Sequence, residues 1–393
     1  MADITLIGRA SGHDPRELRA AEIPAAAAAL TAVPADAWST LAARAIEPNG
    51  YYLPEWELAV NASAVGRTGT SALCAWNAAE LVGLMPAISM RRAYGIPLPA
   101  LVSGHPYGTL CTPLLDRNSP AAAVASLLQA AREAGARALI LRDMSLGGAA
   151  MTAIADVLAR DGLRPRVLQS HVRACLDATR DAEALLNEAL GAKKLKELRR
   201  QRNRLADHGA VSFAVARSPD EVAAATEIFL GLEASGWKGA RRTALIQSEG
   251  DAAFIRRATR ALAATGGCEI VTLRAGATPV AAGIVLRHQD RAFYFKIGVD
   301  ERFAKFSPGV QLTLELTRHL CADPAIASAD STAAPDHPMI NPIWRGRLAI
   351  GDVLIPLRRN DPVVSLIETT LRARLAARQL GRRGLQFIRN FRS

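Results

Sequence analysis

The chain has 393 residues, of which 50% are apolar, 22% are charged and only 5% are aromatic. This composition excludes a largely disordered chain, and the length allows two or three domains with cores built mainly from aliphatic side chains. The formal net charge is +11, which is compatible with nucleic acid, anionic lipid or anionic small molecules as partners.

In the first half of the chain, the sequence predicts an antiparallel hairpin followed by alternating helices and strands. Residues 1–20 show no clear pattern and are expected to form a loose lead-in. The predicted elements, in chain order, are a short helix at 35–45, strands at 71–76 and 81–90, a helix at 120–133, a strand at 138–143, a helix at 148–161 and a strand at 167–176. Ser119 as N-cap, with Pro120 at the first helical position, predicts the start of the second of these helices.

The second half has a similar plan. Its predicted elements are a helix at 181–207, a strand at 211–216, a helix at 219–232 capped by Ser218, strands at 268–273, 279–287 and 291–298, a helix at 308–320, and strands at 327–330 and 348–357. Each half thus combines antiparallel strands, a helix opened by Ser-Pro and a strand that can pair in parallel. The fold class expected is α+β, with two tandem units of one plan at 21–180 and 181–360 and a basic helix at 361–393.

Two segments account for the entire excess of positive charge. Residues 193–204 contain seven Lys and Arg side chains against one carboxylate, and residues 358–392 contain nine Arg side chains against two carboxylates. Two basic helices therefore have to be explained, rather than a generally basic surface. The first is either a solvated linker helix between the two units or an electrostatic wall for an anionic acceptor.

The C-terminal basic segment also carries an apolar stripe. Val363, Ile367, Leu371 and Leu375 follow one another at intervals of four residues. Such a stripe either packs on the body of the protein, which is its commoner use, or lies on an anionic membrane. Peripheral membrane contact through 361–393 is therefore one of two expectations.

Cysteine and targeting patterns point to a reducing compartment. The five cysteines are widely spaced and form no CxxC pair, which argues against a disulfide framework or a zinc site. The N-terminal sequence lacks an apolar core of signal-peptide length. We expect a cytoplasmic protein, with a membrane-peripheral position left open, and no metal.

The turn that leads into the helix at 308–320 is the candidate phosphate site. A helix N-terminus exposes unpaired N–H groups and the positive end of the helix dipole. Gly309 would remove the side chain where a phosphate approaches the backbone. The alternative is an ordinary capped helix, because Ser119-Pro120 opens a helix without a glycine behind it.

The order of these elements resembles the GNAT acyltransferases, in which antiparallel strands precede a helix with a Gly-containing N-terminal turn and a further strand. The landmarks resemble in particular the CelD/BcsL-like acetyltransferases, which are associated with cellulose and envelope-polysaccharide biosynthesis. These landmarks are residues 193–204, Ser235-Gly-Trp-Lys-Gly239, Asp300, Phe306-Ser-Pro-Gly309 and Asp330. The resemblance covers residues 190–350 well, whereas the first half matches in plan and in Tyr51–Trp56. The plan is also similar to that of the Fem-type peptidyl transferases, which carry two GNAT units in one chain.

The resemblance implies acetyl-CoA or another acyl-CoA as donor, with its pantetheine arm beside the strand at 291–298. The residues expected to bind the donor are Phe306, Ser307, Pro308, Gly309, Val310 and Gln311. In the first unit Ala121 stands where the second has Gly309, so that no working donor site is expected there and the first unit is expected to be degenerate.

Acyl transfer needs a base for the acceptor and an acid for the leaving thiolate. The candidate catalytic residues are Asp300, Asp330, His337 and Tyr294. Each has an ordinary alternative: a turn or cap for Asp330, a loop position without a role for His337, and a core position for Tyr294.

The acceptor is expected to contact the loop after the helix at 219–232. An exposed Trp237 suits a sugar or apolar acceptor and Lys238 an anionic one, unless Trp237 anchors the loop to the core. Asp336 and Trp344 are expected to shape the same side of the site.

The sequence therefore favours an acyl-CoA-dependent N- or O-acyltransferase that acts on a small-molecule or saccharide acceptor, such as an envelope precursor. One alternative is a Fem-type aminoacyl-tRNA-dependent transferase, in which residues 193–204 would contact RNA phosphates. Another is a non-catalytic binding protein with the same fold. The second half shows no long helical-hairpin insertion of the Fem type, which favours the first function and makes nucleic acid an unexpected partner.

Overall fold

A computed structural model describes residues 27–104, 107–236, 239 and 241–390, the side chains of 381–390 excepted. The lead-in expected at 1–20 lies outside the described residues, as do Trp237 and Lys238.

The first half of the chain forms seven strands and five helices among the described residues. In chain order they are β1 (Ala27–Ala29), α1 (Ala35–Ala43), α2 (Pro54–Ser63), β2 (Ser71–Asn77), β3 (Glu80–Ser89), α3 (Met90–Tyr94), β4 (Ala100–Ser103), β5 (Leu114–Leu115), α4 (Pro120–Glu133), β6 (Ala138–Ser145), α5 (Ala149–Arg160) and β7 (Arg166–Asp177).

The second half adds the remaining described elements. They are α6 (Ala182–Leu205), β8 (Val211–Ala216), α7 (Pro219–Ser235), α8 (Glu249–Ala264), β9 (Cys268–Ala275), β10 (Thr278–His288), β11 (Arg291–Val299), α9 (Pro308–Cys321), β12 (Ser328–Asp330), β13 (Gly346–Pro356) and α10 (Pro362–Asn390). A short 3₁₀ helix at Glu301–Phe306 precedes α9.

Most predicted elements are confirmed, and the differences have local causes. The predicted cap at Ser218 is part of a capping box with Glu221, whereas the Ser119 side chain makes no cap hydrogen bond. Helix α2 was not predicted because polar residues such as Glu57 share its buried surface with Trp56, which hides the amphipathic pattern.

All strands of the described residues belong to one sheet, and most pairs are antiparallel. The order is β1-β2-β3-β4-β6-β13-β7-β12-β11-β10-β9-β8, with β5 beside β3. Only β4 with β6 and β11 with β12 pair in parallel. The expected α+β fold of two tandem units is confirmed.

Strands β7 and β13 join the two halves by exchange. Strand β13, from the end of the chain, lies between β6 and β7, while β7 lies between β13 and β12. The order β4-β6-β13-β7 therefore repeats as β11-β12-β7-β13, and each half completes its sheet with a strand from the other. The β7–β13 ladder is continuous apart from one register shift, so separating the halves would break it.

The C-terminal helix packs on the sheet of the first half. Val364, Ile367 and Leu371 of α10 are buried in one cluster with Ile140 of β6, whereas the neighbouring Leu139 belongs to the cluster that contains α4 and α5. Because consecutive strand residues face opposite sides, α10 covers the sheet face opposite to α4. Packing is thus confirmed as a use of the apolar stripe. Within the described part of the chain, no helix combines the length and apolarity that a membrane span requires.

His288, at the end of β10, fastens the second half to the first. Its Nδ1 accepts a hydrogen bond from the N–H of Asn49 at 2.8 Å, and its Nε2–H donates to the carbonyl of Ala42 at 2.9 Å. The neutral ring satisfies both bonds, while a protonated ring could not accept at Nδ1. Burial lowers the pKa of His288 from 6.5 to about 4.

We expect the stability of the protein to fall as the pH drops through the window from about 6.5 to about 4. In that window the unfolded chain binds a proton at His288 that the folded chain does not, which removes up to about 3 kcal/mol from the free energy of unfolding. His288→Gln should flatten the pH dependence measured by urea unfolding. The exposed His208, changed to Gln, is the control and should leave the slope unchanged; equal slopes for wild type and His288→Gln would contradict the prediction.

Candidate active site

Strands β11 and β12 diverge after three residue pairs and leave a slot between them. Their parallel pairing ends at Phe293 opposite Asp330, while β11 continues along β10 as far as Val299. The slot has a volume of about 150 Å³. Its lining residues are Tyr294, Phe295, Lys296, Ile297, Ser331, Thr332, Ala333, His337, Met339 and Ile340. One edge of β11 is therefore open to an extended ligand chain, which could pair with its backbone as an added strand does.

A bulge shapes the wall of the slot. Opposite Ile284 and Val285, the β10–β11 register shifts at Phe295, and an extra residue bends a strand and increases its twist. The neighbouring Tyr294 ring lies over Gly283, where a Cβ atom would come within 2.7 Å of Tyr294 Cε2. Glycine at 283 is thus required by the position of this ring.

Helix α9 begins beside Ile297 and Val299 of β11. Ser307 has a left-handed backbone with φ of 53°, and no side chain caps the helix. Its carbonyl accepts the N–H of Gln311 at 3.0 Å, which leaves the N–H groups of Gly309 and Val310 without an acceptor in the helix. These two groups could hold a phosphate.

Gly309 has a packing role beside the predicted one. A Cβ atom there would lie 3.1 Å from Met339 Sδ and 3.2 Å from Val299 Cγ1. The glycine therefore lets α9 pack closely on β11. Of the other residues expected to bind the donor, Phe306, Pro308 and Gln311 are buried, and the Gln311 amide donates to the carbonyl of Leu198 at 2.8 Å.

Asp330 sits at the vertex of the slot in a buried ion pair. Its carboxylate accepts from Arg173 of β7 and from the N–H of Thr332 at 2.8 Å, and both charged side chains are nearly inaccessible. Arg173 also donates to the carbonyl of Thr109 at 2.7 Å. Asp330, a candidate base in the sequence, is thus a buried anchor at the end of β12 whose counter-charge is supplied by the first half.

Thr332 ties the two walls of the slot together. Its hydroxyl donates to the carbonyl of Tyr294 at 2.7 Å, and its φ is 51°. A β-branched residue rarely adopts this conformation, and such strain persists only where the surroundings impose it. The Asp330 carboxylate and the Tyr294 carbonyl together hold Thr332 in place.

His337 is the candidate base that faces the slot. It lines the cavity, and its Nδ1 accepts from the N–H of Met339 at 3.3 Å. With its amide oriented to satisfy both groups, Asn341 accepts from the N–H groups of Asp336 and His337, which fixes the loop. Asp336 is exposed next to it.

Three other residues predicted to belong to the site are buried or bonded within the protein. Asp300 caps the 3₁₀ helix, and its hydrogen bonds with Arg302 lower its pKa, which makes it a weaker base than an ordinary carboxylate. Trp344 is buried and donates to the Thr317 hydroxyl at 2.9 Å, so it is a core residue rather than an acceptor contact. Tyr294 is also buried, which raises its pKa well above the usual value.

Two residues that local sequence patterns do not single out, Lys296 and Glu233, form an ion pair beside the bulge. Lys296 lines the slot and pairs at 3.2 Å with Glu233 of α7, whose side chain is fully buried. Glu233 also accepts from the N–H of Leu245 at 2.9 Å. The sequence signal for Glu233 is its position only two residues before the Ser235-Gly236 landmark. Its burial, which is unusual for a glutamate, is seen only in the structure. The described residues hold no group of three or more His, Cys, Asp or Glu side chains arranged for a metal ion.

Loss of the cation at the vertex should destabilise the protein strongly. Arg173→Met leaves the Asp330 carboxylate buried without its counter-charge, at an expected cost of about 3–5 kcal/mol in the free energy of unfolding. Arg173→Met combined with Asp330→Leu should recover part of this loss in urea unfolding. Arg180→Met, which breaks an exposed pair with Glu188, is the control and should have little effect. Equal effects of Arg173→Met and Arg180→Met would contradict the prediction.

Residues 192–336 match the family model described as "Acetyltransferase (GNAT) domain". A comparison with curated proteins finds no match to this chain.

Three solved structures share the fold over most of the chain. FemX has a TM-score of 0.56 at 12% identity and covers 86% of this chain and 98% of its own. The C-terminal domain of a putative lysylphosphatidylglycerol synthetase from Agrobacterium fabrum has a TM-score of 0.52 at 15% identity and covers 86% and 95%. A conserved protein of unknown function from Bacteroides thetaiotaomicron has a TM-score of 0.52 at 12% identity and covers 83% and 98%. Residues 192–336 are therefore similar to the GNAT acetyltransferase domain, and the chain has a fold of two tandem GNAT-like units.

Proposed function

We propose that this protein is an acyl-CoA-dependent acyltransferase whose donor occupies the slot between β11 and β12. The observation that carries the proposal is the unpaired edge of β11, which starts at the Asp330 vertex and leads to the uncapped start of α9. An extended pantetheine arm would pair with the backbone beyond Tyr294, whose carbonyl already accepts the Thr332 hydroxyl. Its pyrophosphate would bind the N–H groups of Gly309 and Val310.

The residues that line the slot have distinct roles in this proposal. His337 would take a proton from the amine or hydroxyl of the acceptor as that atom bonds to the acyl carbon. The carbon–sulfur bond then breaks, and protonated His337 would return the proton to the leaving thiolate of CoA. The backbone N–H groups of β11 at the Phe295 bulge, and the Lys296 cation held by Glu233, would stabilise the negative charge that develops on the thioester oxygen. Asp330 and Thr332 position the walls and take no part in proton transfer.

The acceptor class rests on the resemblance of the landmark residues to the CelD/BcsL-like subgroup. We propose a sugar or envelope precursor as acceptor, approached through the loop after α7 that contains Trp237 and Lys238. We also propose a cytoplasmic location, which fits five free cysteines, three of them buried. Peripheral membrane contact through α10 belongs to the same proposal.

Blocking the slot should abolish donor binding. Ala333 lines the slot and the next residue, Ala334, is exposed outside it. Acetyl-CoA at 100 times its Kd should stabilise the wild type by about 2.7 kcal/mol, a rise of a few degrees in the melting temperature. Ala333→Trp should lose this rise and Ala334→Trp should keep it, with each variant first melted without ligand. No rise in the wild type with acetyl-CoA or octanoyl-CoA would overturn the proposed function.

Removal of the base should slow turnover without weakening the donor complex. His337→Ala is expected to lower kcat about 10²-fold or more, measured as free thiol released from acetyl-CoA with glucosamine or methyl glucoside as acceptor. Asp156→Asn, at an exposed carboxylate on α5 of the first half, is the control and should change kcat little. An unchanged kcat in His337→Ala would reject His337 as the base. Absence of acceptor-dependent thiol release by the wild type would reject the sugar class.

A further inference from the structure

We infer that a groove between α6 and α9 binds the phosphorylated nucleoside end of the donor, an inference that rests on the proposed function. The groove has a volume of about 530 Å³. Its wall on α6 includes Leu195, Lys196 and Arg199, and its wall on α9 includes Gln311 and Leu314.

The groove continues the path of the donor beyond the start of α9. Gln311 lies in the first turn of α9, and its hydrogen bond to the Leu198 carbonyl fixes α6 beside that turn. The groove therefore begins one residue after Val310, whose N–H is available for the pyrophosphate. In CoA the next group beyond the pyrophosphate is a nucleoside with a 3′-phosphate, so a single ligand can span the slot, the helix start and the groove.

The charges of the groove leave two cations unpaired. Arg202 pairs with Glu315 at 2.9 Å, and Arg318 pairs with Glu183 at 2.6 Å. Lys196 and Arg199, in contrast, are exposed and make no ion pair or side-chain hydrogen bond among the described residues. They are three residues apart and thus share one face of the helix. Two neighbouring cations match the charge of a phosphomonoester.

The rest of the groove suits a nucleoside. Leu195 and Leu314 supply apolar surface on which a base can pack. Gly191, with φ of 72° and ψ of 160°, interrupts α6 just before the basic segment. A break of this kind changes the direction of a helix, and the segment after it lies along α9. The basic residues therefore have a defined neighbour and are not a freely solvated linker.

Arg200 offers a matched control on the same helix. It is exposed and unpaired among the described residues like Arg199, but it does not line the groove. It borders only a neighbouring depression, which Lys196 and Arg199 border as well. Its neutralisation changes the net charge as much as neutralisation of Arg199, without altering the groove.

The test compares CoA with dephospho-CoA, which lacks only the 3′-phosphate, by isothermal titration calorimetry. The wild type should bind CoA about tenfold or more tightly, as expected for charge-assisted hydrogen bonds to one phosphate. Lys196→Gln with Arg199→Gln should remove this preference and leave the Kd of dephospho-CoA unchanged. Arg200→Gln should keep the preference. Circular dichroism melting of each variant confirms that these exposed substitutions leave the fold intact.

The outcomes separate this inference from the proposed function. Equal binding of CoA and dephospho-CoA by the wild type would overturn the groove and leave the acyltransferase proposal standing. A preference reduced equally by Arg200→Gln would also overturn it, because the effect would then come from overall charge. Failure of the wild type to bind either compound would overturn both proposals.

Discussion

The early end of the β11–β12 ladder is the constraint on which the rest of the site depends. Divergence after Phe293 exposes one edge of β11, but it also ends a buried strand at Asp330, whose carboxylate needs a counter-charge. Arg173 supplies that charge from β7, a strand that belongs to the first half of the chain. The strand exchange and the slot are therefore coupled, since β7 reaches the vertex only because it lies between β13 and β12.

The first half contains the same divergence without the same opening. Strand β4 also pairs with β6 over three residues, up to Val102 and Ile140. Beyond that point the chain itself occupies the gap between the strands, on the side of β6: the N–H of Arg142 donates to the Ser103 hydroxyl at 2.9 Å, and the N–H of Cys111 donates to the Asp143 carbonyl at 3.3 Å. Backbone groups that already have partners cannot receive an extended ligand. One topology thus gives an open edge in one half and a closed edge in the other.

Sequence patterns predict the parts of this structure that depend on neighbours along the chain. The hairpin of β2 and β3 follows from alternation, the start of α7 from its cap at Ser218, and the start of α9 from a proline at its first position. The exchange of β7 and β13 does not, nor does the pairing of Arg173 with Asp330, because these partners are 157 residues apart. Gly309 shows the intermediate case. The sequence predicts a special glycine at the start of α9 for a phosphate, whereas its contact with Val299 and Met339 is defined only by the packed structure.

The sequence leaves open what the positive charges of the two basic helices contact, and the structure shows that this differs between α6 and α10. In α10, Arg372 pairs with Glu368, which also binds Arg166, and Arg374 lies over the Tyr94 ring. Arg372 also donates to the Val167 carbonyl of β7 at 3.4 Å, so these side chains link the helix to the body of the protein. In α6, Lys196 and Arg199 have no such partners and face a groove beside the start of α9. An unpaired cation over a groove retains its capacity to bind an anion, whereas a paired one must first give up its partner. The pairing of the cations, more than their number, therefore distinguishes a packing helix from a binding surface.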